Sequence, residues 1–528
     1  MNNSALQAEA LADALYAAGV RDVVIAPGSR SAPLALAFAH RDEFKRHIHI
    51  DERSAGFVAL GISKASGRAV ATLCTSGTAT ANFFPAVMEA SHSDVPLIVI
   101  TADRPSELQG IGSNQTTNQI ELYGSAVRHF LNIEAGTSLT WLAHFREVME
   151  NLNGPIQINV AFRDPLLPEG EIPRQVIPEF QLIADSVNEV PTLSELDIRS
   201  GQRGVVVVGH GLGNLSRKEV AEWATVLGWP IIAEDPLSQG EAIRHASLIV
   251  GTEFAIDHLQ AEVALVVGKI GLSRSVMAFI ARTPRVIGID SHHEVSNPLR
   301  KNEVQLPSLP EVDIAADPLW LKRWREASSK VSASLELPAW SEQNLAATFA
   351  DALPAGSSLF IGSSRPIRDV EAFATPRADL EVIGNRGLAG IDGNISTAIG
   401  ISRVRPGRTF AYLGDIAFLH DVNALLNEAP NLTVVVVDNN GGGIFSTLPQ
   451  RGVAHFEEVF GTPHGQDLVS IASGFNIPVT RVSNVNDFKK ALEIPHRKLN
   501  VVIANMPTRE ESADFLKIAM ANAESALK

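Results

Sequence analysis

Residues 409–445 read TFAYLGDIAFLHDVNALLNEAPNLTVVVVDNNGGGIF. Two continuous apolar runs, 409–413 and 432–437, each end abruptly, the first in Gly414-Asp415 and the second in Asp-Asn-Asn and three glycines. Short apolar runs joined by a helix-length segment are what parallel strands look like when helices cover both faces of their sheet. The pattern repeats along the chain. Ser4 can cap a helix over about 5–18, with Gly19 at its end, and a strand at 22–26 follows. Further strands are predicted at 47–51, 69–74 and 96–101. A second series runs through 205–208, 230–233, 247–250, 264–267 and 286–289. A third comprises 358–361, 380–383, the two quoted runs and 500–504. Segments 169–191 and 306–338 are rich in proline and charge and read as linkers. The expected fold class is α/β, three doubly wound parallel-sheet domains at 1–180, 190–335 and 340–528.

Bulk properties agree with three domains. The chain has 528 residues, 45% hydrophobic and 20% charged, enough for a large core without cross-links. The net charge of −15 argues against nucleic acid as a main partner. Cys74 is the single cysteine, so no intramolecular disulfide forms, and its apolar surroundings point to an inert buried thiol. No apolar run approaches the roughly 18 residues of a membrane span, and the first residues lack a signal-peptide pattern. A cytoplasmic location is expected.

In such sheets ligands collect at the carboxyl ends of the strands. Asp415 stands at one such end, and Asn439 about 24 residues later at the next. The Asp415 carboxylate, the Asn439 amide oxygen and the Gly441 carbonyl would offer three hard oxygen ligands. Magnesium takes a set of this kind and completes it with phosphate oxygens and water; manganese fits the same donors. Gly442 and Gly443 would let backbone approach a ligand closely. Either half alone is better explained by a tight turn after a buried strand; the pair at this spacing is not. The spacing resembles the thiamine-diphosphate motif, which opens with Gly-Asp and closes with Asn. Ile416 stands where many members of that superfamily have glycine.

Thiamine chemistry needs a carboxyl group against the aminopyrimidine ring, held at a strand end. Glu52, at the start of a predicted helix over 53–64, is the candidate. Taken alone it reads better as an acidic residue favoured by a helix N-terminus, and the metal motif in the same chain reverses that. Ile391, between glycines in GNRGLAGIDG, suits a prop beneath the bent cofactor. Arg30, Arg104, Arg368 and Arg386 sit in PGSRSAP, TADRP, GSSRPIR and GNRGLAG, at or soon after predicted strand ends. Arginine binds carboxylates bidentately, so four of them in an acidic protein suggest substrates with several carboxylates. Ser29, Asn114 and Gln115 add neutral donors.

Two features read as decoys. Gly209, Gly211 and Gly213 follow a strand but lack the dinucleotide-binding spacing, and no clear acidic residue is expected at the end of the next strand. They are read as a tight turn. His292 and His293 lack partners at metal-ligand spacing and are read as surface histidines.

PGSRSAPLALA, DERSAGFVALG, TSGTATANFFPAVMEA, TADRP, GNRGLAGIDG, GDIAFLHDVNAL and NNGGGIFSTLPQ together resemble the family of 2-succinyl-5-enolpyruvyl-6-hydroxy-3-cyclohexene-1-carboxylate synthases of menaquinone biosynthesis. The likeness covers the first domain to about residue 120 and the last from about 356 to 450. It implies a pyrimidine-binding first domain, a Rossmann-like central domain and a diphosphate-binding last domain. It implies thiamine diphosphate with Mg2+ or Mn2+, and a transferase that decarboxylates 2-oxoglutarate and adds the succinyl semialdehyde carbanion to isochorismate. By motif position, Glu52 would activate the cofactor, and Asp415, Asn439 and Gly441 would hold the metal. Ser364, Ile391, Gly414, Ile416 and Gly442 would line the cofactor. Ser29, Arg30, Arg104, Asn114, Gln115, Arg368, Arg386 and Ile444 would meet substrate, with Arg300 the candidate from the central domain. The family also implies a homodimer or homotetramer with sites shared between subunits. The alternatives are another thiamine enzyme, such as an acetohydroxyacid synthase or a 2-oxoacid decarboxylase, or a non-catalytic binding protein. The arginines count against the former, and Glu52 with the metal ligands against the latter.

Overall fold

The computed structural model of the protein describes residues 3–167, 190–495 and 497–528. It contains three wholly parallel sheets. The first comprises β1 (Asp22–Ile25), β2 (Lys45–Ile48), β3 (Val70–Cys74), β4 (Leu97–Asp103), β5 (His129–Ile133) and β6 (Ile156–Ala161), in the order β2-β1-β3-β4-β6-β5. The second comprises β7 (Gly204–Val208), β8 (Ile231–Ala233), β9 (Val263–Val267), β10 (Arg285–Ile289) and β11 (Asn302–Leu306), in the order β11-β10-β9-β7-β8. The third comprises β12 (Ser358–Ile361), β13 (Glu381–Ile383), β14 (Thr409–Gly414), β15 (Leu432–Asp438), β16 (Val479–Val482) and β17 (Asn500–Asn505). Its order, β13-β12-β14-β15-β17-β16, repeats that of the first sheet. In both, chain order reverses at the first strand, the kind of point at which doubly wound sheets open a crevice.

The chain forms two compact units. One takes the described parts of Met1–Ser186 together with Gly387–Pro406 and Asp421–Pro430; the other takes the rest. In the first unit, buried faces of β1, β3, β4 and β6 pack against the helices Asn3–Ala17, Ala32–Ala39 and Leu142–Glu150. Its other main contact is between the helices Glu52–Ser66 and Asn394–Val404. They meet backbone to backbone. A Cβ on Gly61 would stand 2.1 Å from the Thr397 carbonyl oxygen, and one on Gly400 2.2 Å from that of Val58. In the second unit the strands of the other two sheets supply three further apolar cores.

The fold class is as the sequence predicts, and most strands fall within a residue or two of their expected bounds. Segment 247–250 is not a strand: it lies in a buried helical turn, Ala246–Ile249, entered through His245 in the left-handed region. A buried apolar run this short fits either structure. Segment 306–338 is not a simple linker. It contains the helix Pro318–Ser334, capped by Asp317, which buries Trp320 and Trp324. Predicted linker 169–191 lies, but for its last two residues, outside the described residues. Strand β6 escaped prediction because polar Gln157 and Asn159 interrupt its apolar pattern; both are buried and hydrogen-bonded, to Gln119 and Asp103 among others. Among the described residues no helix is long and apolar enough to cross a membrane.

Gly400→Ala forces a methyl into the helix contact. Overpacking of this kind is expected to cost about 1–3 kcal/mol, seen as a lower thermal midpoint; an unchanged midpoint would mean that the helices yield without cost.

Candidate active site

In the second unit, β14 and β15 are neighbours in register, so their carboxyl ends emerge side by side. Asp415 leaves β14 buried. Its Oδ1 accepts from the Ile416 N–H at 2.7 Å and its Oδ2 from the Gly441 N–H at 2.8 Å, which ties the two strand ends together. Gly441 has φ of +144°, and a Cβ there would meet the Gly461 carbonyl oxygen at 2.3 Å, so only glycine fits. The Gly441 carbonyl accepts from the Gly443 N–H at 2.9 Å and keeps a second lone pair. Asn439 donates through Nδ2 to Glu342 at 2.7 Å, while its Oδ1 is buried with no hydrogen-bond partner among the described residues. A buried oxygen acceptor left open is the kind of group a cation site uses. These donors therefore fit a divalent metal.

Two further groups belong to this cluster and were missed from sequence. The carboxylates of Asp415 and Asp438 and the ring of His464 bring one ligand atom each within 4.8 Å of one another. His464 Nε2 lies 3.3 Å from Asp415 Oδ2 and 3.8 Å from Asp438 Oδ1. Its hydrogen bond to Asp415 raises its pKa above the usual imidazole value. Asp438 is pushed up by burial and by the Asp415 charge. Asp438 adjoins Asn439 in sequence, so position could have flagged it. His464 arrives on a loop after Gly461, and no periodicity announces that.

Ser364 follows β12 with φ of +76°, a rare conformation outside glycine and a feature of ligand sites. It opens the helix Arg365–Phe373, whose Arg368 donates to the Ser364 carbonyl at 2.8 Å. Burial lowers the pKa of the Arg368 guanidinium, and Arg386 lowers it further. Glu234 and Asp369 partly offset this positive charge. Arg386 also lies 3.4 Å from Ser363 Oγ. Ile444 is half-buried in the short helix Gly443–Thr447.

The first unit holds the remaining candidates. Arg104 donates to the Gln115 carbonyl at 2.6 Å and to Ser76 Oγ; Gln115 Nε2 returns a bond to the Ser76 carbonyl at 2.9 Å. Gln115 has φ of +55° and packs against Gly77. Burial and the nearby Arg30 charge lower the pKa of Arg104, with Asp103 and Asp164 opposing the shift; Arg30 itself pairs with Asp164 at 3.5 Å. Arg30 donates to the Phe162 carbonyl at 2.9 Å. Ser29 and Asn114 are exposed on their loops. Glu52 begins its helix but does not cap it: Asp51 accepts from the Arg53 and Ser54 N–H groups at 2.9 and 3.4 Å. That leaves Glu52, half-buried, without a hydrogen bond or ion pair among the described residues. Cys74, at the end of β3, is buried; burial pushes its thiol up and Glu52 adds to this. Ile391 is half-buried just before Gly393, where a Cβ would strike the Phe57 ring at 2.0 Å. Buried Glu89 anchors the same loop, accepting from the Gly387 and Leu388 N–H groups at 2.9 and 2.8 Å.

The histidine and glycine-loop readings need correction. His292 is buried, not a surface residue, and pairs with Asp290. Acidic residues do end β8: Glu234 and Asp235. Both are occupied. Glu234 accepts from the Gly271 and Leu272 N–H groups, and Asp235 from Arg217 and Ser238. The glycines themselves form the expected turn, with a Cβ on Gly209 only 1.9 Å from the Lys269 carbonyl oxygen. Arg300 is exposed ahead of β11.

Residues 7–122 match the family described as thiamine pyrophosphate enzyme, N-terminal TPP binding domain. Residues 179–361 match the middle domain of thiamine pyrophosphate enzymes, and 368–503 their C-terminal TPP binding domain. Fold and site thus define a thiamine-pyrophosphate-dependent enzyme. Relatives narrow the class. A protein of Thermobifida fusca is 42% identical over 93% of this chain and 94% of its own; one of Saccharopolyspora erythraea is 39% identical over 93% and 94%. One of Lysinibacillus sphaericus is 35% identical over 92% of each. All three are named 2-succinyl-5-enolpyruvyl-6-hydroxy-3-cyclohexene-1-carboxylate synthase, and this chain belongs to that family of transferases.

The arginine helix carries a pH-dependent liability. Burial, with Glu234 and Asp369 adding to it, pushes Glu371 up to about 8. In the unfolded chain it ionises near about 4.3. The folded protein therefore binds the extra proton between these values, and stability falls as pH rises from about 5 to about 8. Glu371→Gln, neutral throughout, is expected to melt well above the parent at about pH 8.5, with the gap narrowing steadily as pH falls towards about 4. Equal midpoints at both pH values would show that Glu371 is ionised in the folded protein.

Proposed function

We propose that the protein catalyses the thiamine-diphosphate- and Mg2+-dependent decarboxylation of 2-oxoglutarate and conjugate addition of the remaining four-carbon unit to isochorismate. The products are 2-succinyl-5-enolpyruvyl-6-hydroxy-3-cyclohexene-1-carboxylate and CO2. The observation that carries this reading is the pairing of the arginines. Arg30 lies near Arg104 and Arg368 near Arg386, close enough for their charges to interact, while Arg30 also pairs with Asp164 at 3.5 Å. Two such pairs match two dicarboxylate substrates, and a pyruvate-type substrate needs neither. Family membership supports the same reaction.

When bound, thiamine diphosphate supplies the nucleophilic carbon and the electron sink for loss of CO2. The protein's residues do the rest. Asp415, Asn439 and the Gly441 carbonyl would hold Mg2+, or Mn2+, against the diphosphate, with Gly414, Ile416, Gly442 and Ser364 lining it. Glu52, spared from capping by Asp51, would hold a proton against the aminopyrimidine ring, and Ile391 would support the bend of the cofactor. Arg30, Arg104, Arg368 and Arg386 would orient substrate carboxylates. Ser29, Asn114 and Gln115 would hydrogen-bond neutral oxygens, and Ile444 would shield the reacting centre from water. We further propose a cytoplasmic homodimer or homotetramer in which sites are shared between subunits.

Glu52→Gln is expected to keep cofactor binding and lose about 10²–10⁴-fold in turnover. Near-normal turnover would remove Glu52 from proton transfer. The reaction itself is tested by CO2 release and product mass with 2-oxoglutarate, with and without isochorismate. A product retaining the enolpyruvyl group, formed only with both substrates, is expected. Turnover of pyruvate with isochorismate ignored would overturn the substrate assignment and favour an acetohydroxyacid synthase or a 2-oxoacid decarboxylase.

A further inference from the structure

The Asn439 amide has two orientations that differ by a half-turn. Only one presents oxygen to a metal; the other presents an NH2 group, which repels a cation. Shape barely distinguishes them, because the two groups are almost the same size. Their hydrogen-bond partners must therefore decide.

The residue facing that amide is Glu342, the first residue of the helix Glu342–Ala352 and 1% exposed. Its Oε1 accepts from Asn439 Nδ2 at 2.7 Å and from Ser512 Oγ at 2.8 Å. With Oε1 accepting both bonds, the NH2 side of Asn439 faces Glu342, and Asn439 Oδ1 is turned the other way, where it is buried without a partner among the described residues. Ser512 lies on the helix Arg509–Leu527 and fixes the Glu342 side chain from a third element. Glu342 belongs to no motif that carries the metal reading, and it stands 97 residues from Asn439 in sequence.

We infer that Glu342 is a positioning residue for the metal site: its buried carboxylate locks the Asn439 amide with oxygen toward the cation. The inference rests on the proposed role of Asn439 as a metal ligand. Glu342 touches neither metal nor substrate and acts through Asn439 alone. Partners of this kind commonly govern metal affinity as strongly as some ligands do.

Glu342→Gln is the informative substitution. It keeps the shape and an oxygen acceptor for both donors, but adds an NH2 group that can bond the Asn439 oxygen and stabilise the wrong orientation. The probe is Mn2+, titrated into protein saturated with thiamine diphosphate, with free Mn2+ read from its electron paramagnetic resonance signal. E342Q is expected to weaken Mn2+ binding about 10-fold. The comparison that isolates orientation is the same change in an Asn439→Asp background. A carboxylate at 439 has no wrong orientation, and it is repelled by Glu342. There E342Q is expected to leave Mn2+ binding unchanged or to tighten it. An equal weakening in both backgrounds would overturn the inference, since Glu342 would then act only as a distant negative charge. Unchanged binding in E342Q alone would overturn it too. Asn439→Ala separates the two layers: a large loss of Mn2+ affinity is expected, and no loss would overturn the metal role of Asn439 together with the inference. Ser512→Ala, which frees Glu342 without altering its charge, should weaken binding in the same direction as E342Q by a smaller factor.

Discussion

The hydrogen bond from the Gly441 N–H to the buried Asp415 carboxylate is the constraint on which the second unit's site depends. Parallel register brings the ends of β14 and β15 together, but register alone leaves the following loops free to diverge. Asp415 removes that freedom. One oxygen holds its own helix start through the Ile416 N–H, and the other holds the loop from the next strand. Oδ2 is shared by the Gly441 N–H and His464, but Oδ1 accepts a single bond and keeps a lone pair in reserve. A group that shapes the backbone is thus still available to a cation. The same economy recurs in the first unit, where Asp51 caps the helix and Glu52 beside it keeps its carboxylate uncommitted.

The arginines follow a related logic. In an acidic protein, positive potential has to be local. Arg30 is balanced by Asp164 at 3.5 Å, and Arg368 in part by Glu234 and Asp369. Arg30, Arg104 and Arg368 are also held by backbone carbonyls at Phe162, Gln115 and Ser364. Their orientation is set before a ligand arrives, which lowers the entropic cost of binding.

Much of this was legible in the sequence because it is local. Continuous valine and isoleucine runs announce buried parallel strands, and residues directly after them stand at the sheet edge. That places Asp415, Asn439, Glu52 and the arginines without any tertiary information. What stayed hidden depends on long-range packing. Polar positions in β6 obscured a central strand, because their partners at Gln119 and Asp103 lie far away in sequence. His464 reaches Asp415 and Asp438 on an irregular loop, and Glu342 reaches Asn439 from a helix 97 residues earlier. His292 looked like a surface residue because its partner, Asp290, gives no pattern that distinguishes a buried ion pair from an exposed one. The 306–338 segment was misread because proline and charge suit a linker, yet Pro318 serves at a helix start, where its missing N–H costs nothing.

The division of the chain has a consequence for how the protein is made. The helix Glu52–Ser66 is completed by a helix that begins at Asn394, more than 300 residues later. At about 5–20 residues per second, a ribosome takes on the order of tens of seconds to make the intervening chain. For that time the nascent first sheet has its strands but lacks the surface that Gly61 is shaped to meet. Its flat glycine-bearing helix is then exposed to solvent and to other nascent chains. The middle of the protein folds while the first unit waits, and final assembly comes only when residues up to about 430 have emerged. An N-terminal piece cut at the apparent end of the first domain would lack the helix Asn394–Val404 that packs on Glu52–Ser66.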